Sequence, residues 1–224
     1  MATPLGGTRD ATGCVSATSK PSRPNEPSRG EAARDPGRAP KALADLEWPL
    51  HTARMLIRPC HVDDAESLYQ LRTRPEVATW AHSVPTDLDD WRRRFTDPEI
   101  SPHLLIVEVS GEIIGELLAY VRDGAAQKEV SNMAARSEAE LGWLIAPEHQ
   151  GRGLATEAAR ALVALCFGPL GVRRVVASTF EANRPSWRVM EKVGMRLETR
   201  SRRDTLHRDR GWMDGRVYAL LADD

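Results

Sequence analysis

From about Trp48 onward, apolar residues follow two alternating periods, one suited to strands and one to helices. Thr52–Pro59 has Met55, Leu56 and Ile57 between Arg54 and Arg58, which predicts a short strand closed by Pro59. Val62–Arg72 opens on Asp63, Asp64 and Glu66 and carries Ala65, Leu68 and Leu71 at helical spacing. Thr86 is placed to cap a second helix reaching about Phe95. Leu104–Val109 and Ile113–Val121 are β-branched runs around Ser110-Gly111-Glu112, a hairpin signal. The polar stretch Asp123–Ser137 predicts a loop, and Glu138–Ile145 a strand stopped by Pro147.

Gly153–Phe167 puts Leu154, Ala158, Leu162 and Leu165 on one face of a helix that ends at Gly168-Pro169. Val172–Phe180 predicts a strand. Asn183–Val193 predicts a helix with Pro185 in its first turn and Gly194 beyond its end. Met195–Arg203 and Arg216–Leu221 predict closing strands. The order β-α-α-β-β-β-α-β-α-β-β implies one α/β (α+β) domain, 46–224, on a mixed sheet of ordinary domain size. Residues 1–45 hold six of the fifteen prolines, with no apolar periodicity, and predict a disordered tail.

Charge and cysteine content narrow the function classes. Thirty-one basic against 32 acidic residues give a net charge of −1, so a nucleic-acid partner is not expected. No apolar run reaches the ~20 residues of a membrane helix, and no secretion signal is visible. Cys14, Cys60 and Cys166 are scattered, which predicts neither a metal site nor a disulfide framework. A cytoplasmic location follows as the expectation.

The chemistry concentrates between Glu140 and Glu157, where a strand runs through Gln150-Gly151-Arg152-Gly153 into a helix. Glycines permit positive φ and close ligand approach, and a helix start offers unpaired N–H groups and a positive dipole end. Together they suit a phosphate, although a tight turn without a ligand fits the same residues. A Walker A loop is excluded because no Gly-Lys-[Ser/Thr] occurs. A dinucleotide fingerprint fails because its last glycine position is Thr156 and the acid expected ~20 residues on is missing.

Gln150-Gly151-Arg152-Gly153-Leu154-Ala155 resembles Q/R-x-x-G-x-G/A, the acetyl-CoA loop of the GNAT N-acetyltransferases. Asn183 to Met195 resembles that family's N-x-x-S-x-x-x-[LM]-E-K-x-G-[FM] segment. Leu56-Ile57-Arg58-Pro59 with Asp63-Asp64-Ala65 resembles the start of the Rim-type branch, which includes ribosomal-protein N-terminal acetyltransferases. The resemblance implies a mostly antiparallel sheet splayed between Glu138–Ile145 and Val172–Phe180, with the pantetheine arm of acetyl-CoA in the gap. Backbone groups at Leu144 and Ile145 would hold that arm. Gln150, Gly151, Arg152, Gly153, Leu154 and Ala155 would hold the diphosphate, and Asn183 would touch the arm, although it also suits an N-cap.

The implied reaction is direct attack of a primary amine on the thioester. Glu140 would be the base, with an ordinary strand glutamate as the alternative. Ser186 would be the proton donor in place of the tyrosine many relatives carry. The implied acceptor is a protein N-terminal α-amine, with a small-molecule amine or a non-catalytic acyl-CoA-binding module as alternatives. The protein is expected to be a monomer or homodimer, without metal or membrane partner.

Overall fold

The computed structural model describes residues 41–224. Most of the expected 1–45 tail therefore lies outside the described residues. Its last part is different: Leu43–Asp45 form a 3₁₀ turn with Leu43 buried, and the Trp48 indole N–H donates to the Leu43 carbonyl at 2.9 Å. The ordered domain thus begins before residue 46, because one leucine supplies enough apolar surface to anchor the turn.

Eight strands form one sheet: β1 (Leu50–His51), β2 (Leu56–Pro59), β3 (Leu104–Val109), β4 (Glu112–Arg122), β5 (Glu138–Ile145), β6 (Arg174–Phe180), β7 (Arg196–His207) and β8 (Gly211–Leu221). Their spatial order is β1-β2-β3-β4-β5-β6-β8-β7. Every pairing is antiparallel except β5 with β6. The helices are α1 (Ala65–Thr73), α2 (Pro75–Ala78), α3 (Leu88–Arg93), α4 (Leu154–Phe167) and α5 (Arg184–Val193).

Both faces of the sheet are covered, and the alternation along β3 shows how. Leu105 and Val107 join the core shared with α4 and α5, whereas Ile106 joins the core shared with α1 and α3. α4 buries Leu154, Ala158, Leu162 and Cys166 against the first of these. On the other face α1 contributes Ala65, Leu68 and Leu71, and α3 contributes Trp91.

The departures from the sequence expectation have local causes. Asp87, not Thr86, caps α3, its carboxylate accepting from the Asp90 N–H at 2.7 Å. The short strand β1 and the helix α2 (Pro at its first position) are too brief for a periodic signal. A 3₁₀ segment, Lys128–Ala134, lies inside the expected loop. β7 runs on to His207 and β8 begins at Gly211, so the two make a long hairpin. β7 is an exposed edge strand with register irregularities at Leu197/Thr199 and Ser201/Thr205, which is why its arginine-rich second half shows no alternation.

Candidate active site

β5 and β6 pair in register at only three positions, Glu138 with Arg174, Ala139 with Val175 and Glu140 with Val176. Above them the two strands share no ladder. β5 stays fully paired with β4 up to Ile145, and β6 stays paired with β8 up to Phe180. A wedge-shaped gap therefore opens inside the sheet, with Glu140 at its closed end.

Hydrogen-bond phase settles which β5 groups face the gap. The Ala146 N–H donates to the Ile114 carbonyl at 2.8 Å, and a Cβ at Gly115 would collide with the Leu144 carbonyl oxygen. Leu144 is thus turned towards β4, and alternation turns the N–H and C=O of Ile145 towards the gap. Of the two expected backbone contacts, only Ile145 faces the opening. Its carbonyl already accepts from the Gln150 side chain at 2.8 Å. Gln150 braces the turn after β5, leaving the Ile145 N–H as the open group.

That turn runs through a 3₁₀ segment, Pro147–His149, into the exposed loop of Gln150, Gly151, Arg152 and Gly153. Gly151 and Gly153 have φ of +70° and +80°, conformations that side chains with a Cβ resist. Gly153 is the N-cap of α4 and no side chain caps the helix there. The first intrahelical bond is the Glu157 N–H to the Gly153 carbonyl, so the N–H groups of Leu154 and Ala155 have no intrahelical acceptor. An uncapped helix of fourteen residues, preceded by two left-handed glycines, fits a diphosphate. Arg152 adds an exposed cation, its Nη1 3.4 Å from His149 Nδ1.

Glu140 has a side chain 36% exposed, and its Oε2 lies 3.6 Å from Arg122 Nη1. Arg122 pairs more closely with Glu138, at 2.7 Å. Glu140 is therefore accessible and only loosely paired. Asn183 occupies the N-cap of α5, but its side chain makes no capping bond there and is free for another partner. Ser186 sits half-buried in the first turn of α5, just past the open end of β6. Trp187 beside it is fixed by its indole N–H on the Glu181 carbonyl at 3.1 Å and by Arg216 4.5 Å from its ring centre.

Three groups around the gap lie outside the sequence expectation. Arg72 of α1 and Glu116 of β4 form a buried ion pair on the α1/α3 face of the sheet, and Arg72 Nη1 also holds the Ser83 carbonyl at 2.7 Å. Trp80, Phe180 and His207 form an aromatic triad at the open end of β6, their ring centres 5.2–5.9 Å apart. His207 Nε2 lies 2.8 Å from the Thr79 carbonyl, and Arg208 reaches the carbonyls of Ala78 and Ala81. The β7–β8 hairpin is thereby tied to the segment after α2. The third group is Arg54, which reaches the glycine loop from the turn before β2. The Arg72–Glu116, Arg54–Arg152 and Arg208–Ala78 pairs are 44, 98 and 130 residues apart in sequence, beyond any local motif.

Burial raises the Cys166 thiol to about 12 and the Cys60 thiol to about 11. Neither is a nucleophile at neutral pH. Among the described residues no group of three or more His, Cys, Asp or Glu could hold a metal ion, and no helix is long and apolar enough to cross a membrane.

Residues 54–196 match the model of the acetyltransferase (GNAT) domain. The chain is 35% identical over 85 residues to the uncharacterized N-acetyltransferase YnaD of Bacillus subtilis, spanning about half (49%) of that relative. It is 26% identical over 148 residues to the L-amino acid N-acetyltransferase AaaT of Escherichia coli, covering 65% of this chain and 85% of AaaT. It is 31% identical over 137 residues to the putative ribosomal N-acetyltransferase YdaF of Bacillus subtilis, 61% of this chain and 67% of that one. The crystal structure of a GNAT-family acetyltransferase from Bacillus anthracis superposes with a TM-score of 0.65 at 26% identity, covering 79% of this chain and all of that one. With well over half of its length inside the matched domain, a sheet split between β5 and β6, and a glycine loop feeding α4, the chain belongs to the GNAT acetyltransferase family.

Proposed function

We propose that this protein transfers the acetyl group of acetyl-CoA to a primary amine, with a protein N-terminal α-amine as acceptor, by direct attack in a ternary complex. The observation that carries the reading is the uncapped α4 N-terminus behind Gly151 and Gly153, set at the open end of the β5–β6 gap. When bound, acetyl-CoA supplies an activated thioester. The chain's own residues bind, orient and move protons. The amides of Gly151 to Ala155 hold the diphosphate with the helix dipole behind them. The Ile145 N–H faces the pantetheine arm, and Asn183 approaches it from the start of α5.

Glu140, at the closed end of the gap, takes the proton of the acceptor ammonium, directly or through a water. The Ser186 hydroxyl passes a proton to the departing sulfur, again with water, because an alcohol is a weak acid. Positioning the two reactants in one gap supplies much of the rate enhancement.

The Rim-type features Leu56-Ile57-Arg58-Pro59 and Asp63-Asp64-Ala65 support the peptide acceptor, as does the likeness to YdaF. A small amine-bearing acceptor is the second reading, favoured by the likeness to AaaT, which covers 85% of that L-amino acid acetyltransferase. Calorimetric titration with acetyl-CoA, followed by thiol-release assays against N-terminal peptides and against free amino acids, tests both. Micromolar binding with turnover on peptides is the expected result. Turnover on amino acids alone moves the assignment to the second reading. Tight binding with no thiol release from any amine identifies a non-catalytic acyl-CoA-binding module.

A further inference from the structure

The Arg54 guanidinium makes two contacts that bear on the glycine loop. Its Nε donates to Glu157 Oε2 at 2.7 Å, and its Nη1 donates to the Arg152 carbonyl at 2.8 Å. Glu157 is gripped further by the Arg54 backbone N–H at 3.0 Å and the Thr52 hydroxyl at 2.7 Å, both on Oε1. The carboxylate in the first turn of α4 thus does more than complement the helix dipole. It fixes the arginine that reaches back over the loop, and the two arms meet across 103 residues of sequence.

The carbonyl Arg54 holds belongs to the same peptide unit as the Gly153 N–H. In a planar trans peptide the C=O and the N–H point in opposite directions. Pinning the Arg152 carbonyl on one side therefore aims the Gly153 N–H to the other side. Gly153, at φ +80°, has no Cβ to restrict rotation of that peptide, so an external hold is what fixes its plane. A cation on the carbonyl also polarises the amide and strengthens its N–H as a donor to an anion.

Resting on the acetyl-CoA reading above, we propose that Arg54 is a positioning residue of the cofactor site: clamped by Glu157, it orients the Arg152–Gly153 peptide so that its N–H meets the diphosphate. Arg54 acts through the loop rather than by touching the cofactor. Lysine cannot replace it, because one ammonium cannot hold Glu157 and the Arg152 carbonyl in the same fork.

The test is calorimetric titration of the full chain, wild type and variants, with three probes: CoA, 3′-dephospho-CoA and pantetheine, which carries no phosphate. Wild type is titrated first, and absence of CoA binding there overturns the cofactor reading itself. Arg54→Met is expected to bind CoA and dephospho-CoA about tenfold more weakly, by the same factor for both, with pantetheine unchanged. Arg54→Lys is expected to lose as much as Arg54→Met, and Glu157→Gln to lose part of it, with melting temperatures close to wild type. Unchanged CoA affinity in Arg54→Met overturns the proposal. So does a loss confined to CoA, which makes Arg54 a direct 3′-phosphate contact. A loss that includes pantetheine overturns it as well, because it marks general damage to the domain, and recovery in Arg54→Lys reduces Arg54 to a mere positive charge.

Discussion

At the scale of single residues, the site divides into groups that need a conformation and groups that need a charge. Gly153 belongs to the first. A Cβ there would meet Arg54 at an ordinary 3.5 Å, so the obstacle to a side chain is the φ of +80° rather than space. Gly153→Val is expected to abolish measurable CoA binding by calorimetry while circular dichroism stays native, because a β-branched residue resists the left-handed region. Glu140 belongs to the second. Glu140→Gln keeps the shape and removes the proposed proton acceptor, so kcat is expected to fall by 10²–10⁴-fold with CoA affinity nearly unchanged. A kcat equal to wild type across the pH range removes Glu140 from the mechanism.

The buried Arg72–Glu116 pair carries its own expectation. Glu116 Oε2, Arg72 Nε, Trp91 Nε1 and Arg94 Nε are buried without a partner among the described residues. Removing the carboxylate in Glu116→Ala leaves a guanidinium without its counter-charge, and urea unfolding is expected to show a loss of about 3–5 kcal/mol. At this scale the sequence was informative where chemistry follows from contiguous spacing, as in Gln150 to Ala155. It was silent where partners are distant in the chain, as with Arg54 and Glu157. It was also silent on Leu144 against Ile145, because adjacent residues differ only in the hydrogen-bond phase of the ladder.

Among the elements, α4 and α5 were legible because they combine apolar faces with glycine boundaries. β5 was legible because Pro147 stops it just after its apolar run. The β7–β8 hairpin was legible only in its outer parts, Met195–Arg203 and Arg216–Leu221, because an exposed edge strand with two irregularities carries no period-two signature through to the turn. One joint between elements makes a pH prediction. Asp64, at the turn into α1, accepts from the His61 N–H at 2.7 Å and from both terminal nitrogens of Arg58 on β2, at 2.8 and 2.7 Å. Burial alone would raise its carboxyl, but the Arg58 and His61 hydrogen bonds outweigh burial and hold it below the usual carboxylate range. A depressed carboxylate stabilises the fold above the unfolded value of about 4, and that stability is lost as pH falls through the folded value. Thermal melts of Asp64→Asn are expected to lie below wild type at pH 7 and to converge with it at strongly acidic pH.

For the whole molecule, the turn at Leu43–Asp45 is part of the domain. Leu43 is 7% exposed and packs in the same core as Leu105, Leu162 and Tyr218. A chain starting at Leu46 is expected to melt several degrees below one starting at Lys41, since a buried leucine is worth about 2 kcal/mol or more. Equal melting temperatures would show that the turn contributes nothing. The composition of residues 1–45 could not reveal this, because Leu43, isolated among alanines and prolines, has no periodicity to mark it.

The split between β5 and β6 gives the sheet something rare, an edge in its middle. Outer edges of sheets are usually blunted by charge, proline or bulges, whereas the acetyl-CoA reading proposed above has this inner rim receive an extended ligand. The gap-facing amides of upper β5 and β6, the Ile145 N–H among them, should exchange faster than the amides paired to β4 and β8, and should slow several-fold when CoA is added. On the acetyl-CoA reading proposed above, the bound cosubstrate acts as a missing strand where β5 and β6 part.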